Sequence, residues 1–257
     1  MLKRALRLTS DWVDLQWSLT IDSLERVAPQ ARGRLLDVGC GQKPYEHIFK
    51  PFLDEYIGIE RKDTFELTNA DSAEGKPDLV YDGDRLPFED RSFDTVLNIQ
   101  VLEHTPAPAE LVREMARVLK DDGRLILSAP FQFRLHEQPH DYFRYSPHGL
   151  RTLCQAAGLE LVEVYPMGSL WSVIGHKLNS YLALRVARMG GLAQAMGKLS
   201  HEGKAVAPVR FWTLPLVGPS MIGISAAARV MDRIAFDPEE TLGFLVVARR
   251  AKPGGIA

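Results

Sequence analysis

Seven short apolar runs punctuate the chain between Arg34 and Arg250: RLLDVG, EYIGIE, DLVYD, FDTVLNI, GRLILSAP, LELVEVYP and LGFLVVARR. Runs of Val, Ile and Leu without strict alternation suit strands covered on both faces. The helical patterns between them, such as PAELVREMARVLKDDG, supply the crossovers that a parallel sheet requires. The pattern predicts an open α/β architecture, with seven mostly parallel strands and flanking helices. The crossover helix is expected to be capped at Thr105, to have Pro106 and Pro108 in its entry, and to stop at Gly123. One segment breaks the alternation. About 70 residues before the last strand read as helices interrupted by Pro and Gly. The expected organisation is an N-terminal helical segment (1–33), a core made of 34–168 and 241–257, and a helical, basic and apolar insertion or cap (169–240). The N-terminal helix is expected to start at Ser10 or Asp11, either of which can cap it. It would then set Trp12, Leu15, Leu19 and Val27 along one stripe, packed on the core or closing over a ligand.

Composition narrows the classes. A hydrophobic share of 46% supports a sizeable core, and a net charge of -2 gives no overall attraction to a polyanion. Cys40 and Cys154 stand far apart without metal-type spacing, which fits a reducing, cytoplasmic setting without disulfides. Asp11 and Asp14 interrupt the basic start before any apolar run of signal length, so no export signal is expected there.

The stretch LLDVGCGQKPYEHIF ends a buried strand in Gly-x-Gly. Without Cβ atoms, Gly39 and Gly41 let backbone approach a ligand at the carboxyl edge of the sheet. Asp37 can hold the turn or reach a ligand amine, and the following helix is expected to aim its amino end at the pocket. Pro44 stands where a dinucleotide fingerprint has its third glycine, which weighs against a nicotinamide-dependent oxidoreductase. Nineteen residues past Gly41, Glu60 ends the next strand, where a carboxylate can accept from both ribose hydroxyls. Asp82 and Gly83 follow the third strand, in position to meet an adenine edge.

The ordered set of LLDVGCG, Glu60, Asp82 before LPF, SFDTV, the pair Glu103–His104 and RVLKDDGRLILSAP resembles the class I S-adenosylmethionine-dependent methyltransferases, closest to their type 11 branch. The resemblance covers roughly residues 30–168 and the final strand. It implies a Rossmann-like sheet and S-adenosyl-L-methionine as cofactor. It further implies that Asp37, Gly39 and Gly41 surround the methionyl part, Glu60 binds ribose, Asp82 and Gly83 face adenine, and Asn98 offers a backbone carbonyl to the methionyl amine. Lys43 and Pro44 depart from a loop that often continues with a further glycine, so the loop shape is open.

Methyl transfer is an in-line displacement that needs alignment, and a base when the acceptor is a hydroxyl or protonated amine. His104, directly after the fourth strand, is one candidate base; its alternative is a structural histidine bonded to loop backbone. FQFRLHEQPHDYFRYSPHG adds His136, His140, Asp141, Tyr142, Arg144, Tyr145 and His148. From this stretch His140, Asp141 and Tyr145 join His104 as catalytic candidates. Similar methyltransferases carry an HDYFRYS-like stretch, which implies a substrate-facing loop, although Arg144 and Tyr145 suit loop anchors equally. The spacings among these histidines and Asp141 match no zinc signature, so no metal is expected. NIQVLEH lacks an Asp/Asn-Pro-Pro-aromatic clamp for a flipped base, so a small-molecule or glycan/lipid-linked acceptor is expected and not nucleic acid. The rival to an enzyme is a non-catalytic sensor or scaffold that binds the same cofactor.

From Gly168 to Phe236 eight Lys or Arg stand against two acids, a balance of +6, which leaves -8 for the rest of the chain. Within this segment the uncharged stretch 211–228 holds two prolines and two glycines, which argue against a spanning helix. A soluble cap and a peripheral membrane contact through 169–240 are the two readings of this segment.

Overall fold

The computed structural model describes residues 12–68, 76–189 and 208–251. They form two compact units, one drawn from Ser23–Phe131, Pro139–Tyr165 and Gly243–Ala257, the other from Met1–Asp22, Gln132–Gln138 and Pro166–Leu242.

The first unit is built on a sheet. Its strands are β1 (Arg34–Val38), β2 (Glu55–Arg61), β3 (Leu79–Tyr81), β4 (Phe93–Ile99), β5 (Leu119–Pro130), β6 (Leu159–Pro166) and β7 (Gly243–Arg250), so each of the seven apolar runs forms a strand. Their order is β3-β2-β1-β4-β5-β7-β6. The pairs β1·β2, β1·β4, β2·β3 and β4·β5 are parallel, and β5·β7 is antiparallel. The chain runs outward from β1 through β2 to β3 and then returns to place β4 beside β1. That reversal opens a crevice at the carboxyl ends of β1 and β4, where ligands of open α/β sheets bind. Strand burial explains the unalternating sequence: Leu35, Leu36, Val96, Leu97, Leu125, Ile126, Leu127 and Leu245–Ala248 are all buried, so both faces of the central strands are covered.

The helices of this unit are the C-terminal part of α1 (Leu15–Val27), α2 (Glu46–Phe49), α3 (Lys62–Thr68), α4 (Pro108–Val118) and α5 (Pro147–Ala156). Two expectations for α4 are corrected. Thr105 does not cap it: its hydroxyl donates back to the Val101 carbonyl at 3.1 Å, and the cap position is Ala107, with Pro108 opening the helix. The helix also ends at Val118, five residues before Gly123, because Leu119 already pairs with Phe93 in the sheet. The Arg250 guanidinium donates to the carbonyls of Ala116 (2.5 Å) and Leu119 (3.1 Å), satisfying acceptors that the helix end leaves open.

The second unit contains the start of α1, α6 (Leu170–Tyr181, extended by a wide turn over Leu182–Val186) and α7 (Leu214–Ile234, entered through a 3₁₀ turn at Phe211–Thr213). Ser10 and Asp11 lie outside the described residues; at the start of α1 it is Asp14 whose carboxylate accepts from the Trp17 amide at 3.2 Å. α6 and α7 run antiparallel. Gly175 lies against Ala228 and Ile224, and Asn179 donates to Ser225 Oγ at 2.8 Å and to the Met221 carbonyl at 3.4 Å. The expectation that prolines and glycines break 211–228 is also corrected. Phe211–Ile234 is a continuous helical stretch of 24 residues, long and apolar enough to cross a membrane by length and composition. Pro219 sits one turn from the start, where only the bond to the Pro215 carbonyl is lost. Gly218 and Gly223 face open space.

Candidate functional site

The sheet unit gathers one group of side chains at the ends of β1, β2 and β4. After Val38 the chain turns through Gly39 at φ +76° and Gly41 at φ +50°. The Gly39 and Cys40 amides both donate to the Ile59 carbonyl, at 2.9 and 3.1 Å, which ties the turn to β2. A Cβ on Gly39 would lie 2.6 Å from Val101 Cγ2, whereas one on Gly41 would meet nothing within 4 Å. Gly39 is thus required by packing, and Gly41 borders free space.

Glu60 is buried at the end of β2. One carboxylate oxygen accepts from the Gly41 amide at 2.9 Å and the other from the Arg61 amide at 3.0 Å. Asp37 is buried one strand away, and the Tyr56 hydroxyl donates to it. Burial pushes the Asp37 carboxyl up and the Glu60 charge adds to this, while the Tyr56 hydrogen bond and Lys43 pull it down; the net position is about 7. The same burial and the nearby acids Asp37 and Glu60 push the Cys40 thiol up, which leaves it unreactive.

Lys43 settles the loop shape that the sequence left open. It adopts φ +52° and donates its amide to the Cys40 carbonyl at 2.8 Å. Its side chain crosses Gly58 to an ion pair with Asp78 at 2.5 Å, and Asp78 also accepts from the Gly58 amide at 2.7 Å. The helix after the loop has only four residues, Glu46–Phe49, so the expected amino-terminal dipole is small and the site relies on its carboxylates and glycine backbone.

Asp82 and Gly83 follow β3 on an exposed loop, with Gly83 at φ +104° beside open space. Asn98 is fully buried in β4. Its amide donates to the Val38 carbonyl at 2.9 Å, clamping the end of β1 to β4, and its side-chain oxygen is buried without a hydrogen-bond partner. Sequence reasoning gave Asn98 only a backbone role; that a buried amide would bridge the two strands at the topological reversal is visible only in three dimensions. Tyr56 and Val101 were likewise missed. The signal for Val101 was its place two residues beyond β4, over the Gly39 turn.

A second group is strapped to the turn Leu102–His104 after β4. The segment from Pro139 lies along it: the Tyr142 amide donates to the Glu103 carbonyl at 2.8 Å, and His104 Nδ1 is 2.8 Å from the His140 carbonyl. A carbonyl only accepts, so Nδ1 carries a hydrogen, and in the neutral ring Nε2 holds the lone pair. Nε2 lies 3.8 Å from the buried Glu103 carboxylate. His140 is exposed, with Nδ1 at 3.1 Å from the Tyr142 hydroxyl. Asp141 forms a bidentate pair with Arg144 at 2.6 and 2.7 Å, and Tyr145 is buried with its hydroxyl donating to the Leu102 carbonyl at 3.2 Å. Asp141 and Tyr145 therefore hold this strap in place. His148 lies exposed on the first turn of α5, and His136 belongs to the helical unit.

Comparison with known proteins bears on the family and the fold. Residues 36–127 match the methyltransferase domain of the type 11 family. The chain is 34% identical over 103 residues to an uncharacterized methyltransferase, YcgJ, of Bacillus subtilis, covering 38% of this chain and 41% of that protein. It is 30% identical over 155 residues to the methyltransferase GfsG of Streptomyces halstedii, covering 58% and 55%. The chain thus spans about half the length of the curated relatives it matches. Among solved structures, a SAM-dependent methyltransferase from Archaeoglobus fulgidus shares the fold with a TM-score of 0.51 at 18% identity, over 91% of this chain and 94% of that one.

The sheet unit defines a class I methyltransferase fold. Residues 36–127 carry a methyltransferase domain of the type 11 family, and S-adenosylmethionine is the cofactor that such a domain uses. The residues present fit that group. It carries a sulfonium and an ammonium, and the crevice offers the buried carboxylates Asp37 and Glu60 with open space over Gly41 and Gly83.

Proposed function

We propose that the protein transfers the methyl group of S-adenosylmethionine to an oxygen or nitrogen of a small-molecule or glycan/lipid-linked acceptor. The observation that carries this reading is the buried Glu60 carboxylate bound to the Gly41 amide, because it joins the methionyl loop and the ribose-binding acid into one preformed cradle. Asp37, Gly39, Gly41, Glu60 and Asn98 would line the cofactor's amino acid and ribose, with Asp82 and Gly83 at the adenine.

The cofactor supplies an activated methyl on a positively charged sulfur. This chain's part is to orient it, exclude water and take up the proton that the acceptor loses. His104 is suited to hold that proton. Its Nδ1–H is committed to the His140 carbonyl, so Nε2 is the basic nitrogen, and the Glu103 carboxylate stabilises the imidazolium that forms. As the acceptor takes the methyl group, Nε2 of His104 would take up the proton that the acceptor's hydroxyl or amine loses. The reading is tested by titrating the protein with S-adenosylmethionine, S-adenosylhomocysteine and NAD, then assaying S-adenosylhomocysteine release with panels of hydroxyl and amine acceptors.

A second reading is favoured by the engagement of Asp141 with Arg144 and of Tyr145 with Leu102, which leaves few free acid–base groups. On that reading the protein is a non-catalytic sensor or scaffold that binds S-adenosylmethionine. Cofactor affinity without product from any acceptor class would select it, and NAD binding in preference to S-adenosylmethionine would favour an oxidoreductase instead.

A further inference from the structure

The α6–α7 hairpin is built inside out for water. Its seam is small and polar: Ser172, Gly175, Asn179, Ser225 and Ala228 are buried, and Asp232 accepts from Ser169 and Ser172. Its outer surface is largely apolar, with Lys177 and Arg233 as exposed charges. Ile174, Leu178 and Tyr181 on α6 are exposed, as are Leu216, Ile222, Val230 and Ile234 on α7. A water-facing helix carries charge on its outer face, whereas small residues and hydroxyl or amide bonds at a helix seam are how helices pack in lipid. Proline and glycine within such helices fit the same surroundings.

The feature is strongest at the loop end of the hairpin, where the Arg210 amide meets the Ala187 carbonyl. There Trp212 is 79% exposed, Leu216 76%, Phe211 72% and Tyr181 62%. Arg185, Arg188 and Arg210 flank them, and the sequence from Tyr181 to Met231 holds a single acid, Glu202. Exposed aromatic rings framed by arginines match the interface of an anionic bilayer: the rings sit at headgroup depth, and the guanidinium groups meet phosphates. A second protein copy would not call for uncompensated positive charge around the apolar tip, since two such tips would repel.

We propose that the loop end of this hairpin inserts Phe211, Trp212, Leu216 and Tyr181 into one leaflet of a membrane rich in anionic lipid, with Arg185, Arg188 and Arg210 on the headgroups. Because apolar insertion is not screened by salt, attachment persists where a purely electrostatic contact would be lost.

The test is flotation of the full chain with phosphatidylcholine vesicles and with vesicles containing phosphatidylglycerol, at low and high salt. The wild type is expected to float with the anionic vesicles at low salt and to retain a substantial bound fraction at high salt. F211S/W212S should lower binding about tenfold or more in both conditions. R185E/R210E should lower it mainly at low salt. Phe211, Trp212 and Arg185 are exposed and Arg210 is half-buried, and unchanged S-adenosylmethionine affinity reports an intact cofactor domain. Absence of wild-type protein from both vesicle types overturns the proposal. So does a concentration-dependent dimer that F211S/W212S dissolves, because a second copy would then cover this face. Vesicle binding needs no methyl transfer, so this result and the activity assay fail independently.

Discussion

Glu60 Oε2 and the Gly41 amide, nineteen residues apart in sequence, meet at 2.9 Å, so the carboxylate proposed to bind ribose also shapes the turn. Glu60→Ala should therefore lose two functions at once. A charge-assisted hydrogen bond contributes about 1.5–3 kcal/mol, so S-adenosylmethionine affinity should fall at least tenfold. Glu60→Gln keeps an acceptor for the Gly41 amide and should lose less. Calorimetric titration of both variants checks this, and equal affinity in Glu60→Ala and wild type would remove Glu60 from the cofactor site.

Gly39 and Gly41 predict a contrast. A side chain at Gly39 meets Val101 at 2.6 Å and must also accept φ +76°, while Gly41→Ala meets nothing within 4 Å and has only the strain of φ +50° to bear, about 1 kcal/mol. Gly39→Val should destabilise the fold and abolish measurable cofactor binding. Gly41→Ala should keep the melting temperature within a few degrees yet weaken cofactor binding, because its methyl enters the ligand's space. A Gly41→Ala variant with full affinity would mean that the cofactor does not approach this loop.

Asp37 makes stability depend on pH. Its carboxyl is raised to about 7 by burial, against 3.8 for the unshifted group, so the folded protein holds a proton that the unfolded chain releases. Without cofactor, the stability associated with that proton is present below about pH 4 and is lost as the pH rises toward and through 7. Asp37→Asn should accordingly raise the melting temperature more at pH 8 than at pH 5, at about 2–4 °C per kcal/mol. Equal shifts at the two pH values would show that Asp37 is ionised throughout.

The strands were legible because central strands covered on both faces leave nearly continuous apolar runs, as in Phe244–Ala248. The burial of Asp37 and Glu60 follows from their places near the ends of such runs, while the bonds they accept from Tyr56 and from the Gly41 amide were not legible. The end of α4 was not, since it is set by Arg250 and by the pairing of Leu119 with Phe93, both remote in sequence. Nor was the course of Lys43, which depends on Asp78 and on the space over Gly58. The helix through Pro219 was misread because composition does not reveal that the proline falls in the first turns. The strap of Asp141 and Tyr145 looked like chemistry for the same reason: the types suit proton transfer, and only their partners show that they are engaged.

His104 should matter for turnover more than for cofactor affinity. Its Nδ1 is held by the His140 carbonyl, a backbone group that His140→Ala leaves in place, so the two histidines are separable. His104→Ala removes the basic Nε2 and should slow single-turnover methylation of a hydroxyl or protonated-amine acceptor by about 10²- to 10⁴-fold at saturating cofactor. His104→Gln, which can still donate to the His140 carbonyl, should preserve the strap and the melting temperature but recover little of the rate. His140→Ala should cost much less, because the exposed ring is held by the Tyr142 hydroxyl and ring on the loop itself. Near wild-type single-turnover rates in His104→Ala would assign the reaction to alignment alone, and a large loss in His140→Ala with His104→Ala unaffected would transfer the base to the loop.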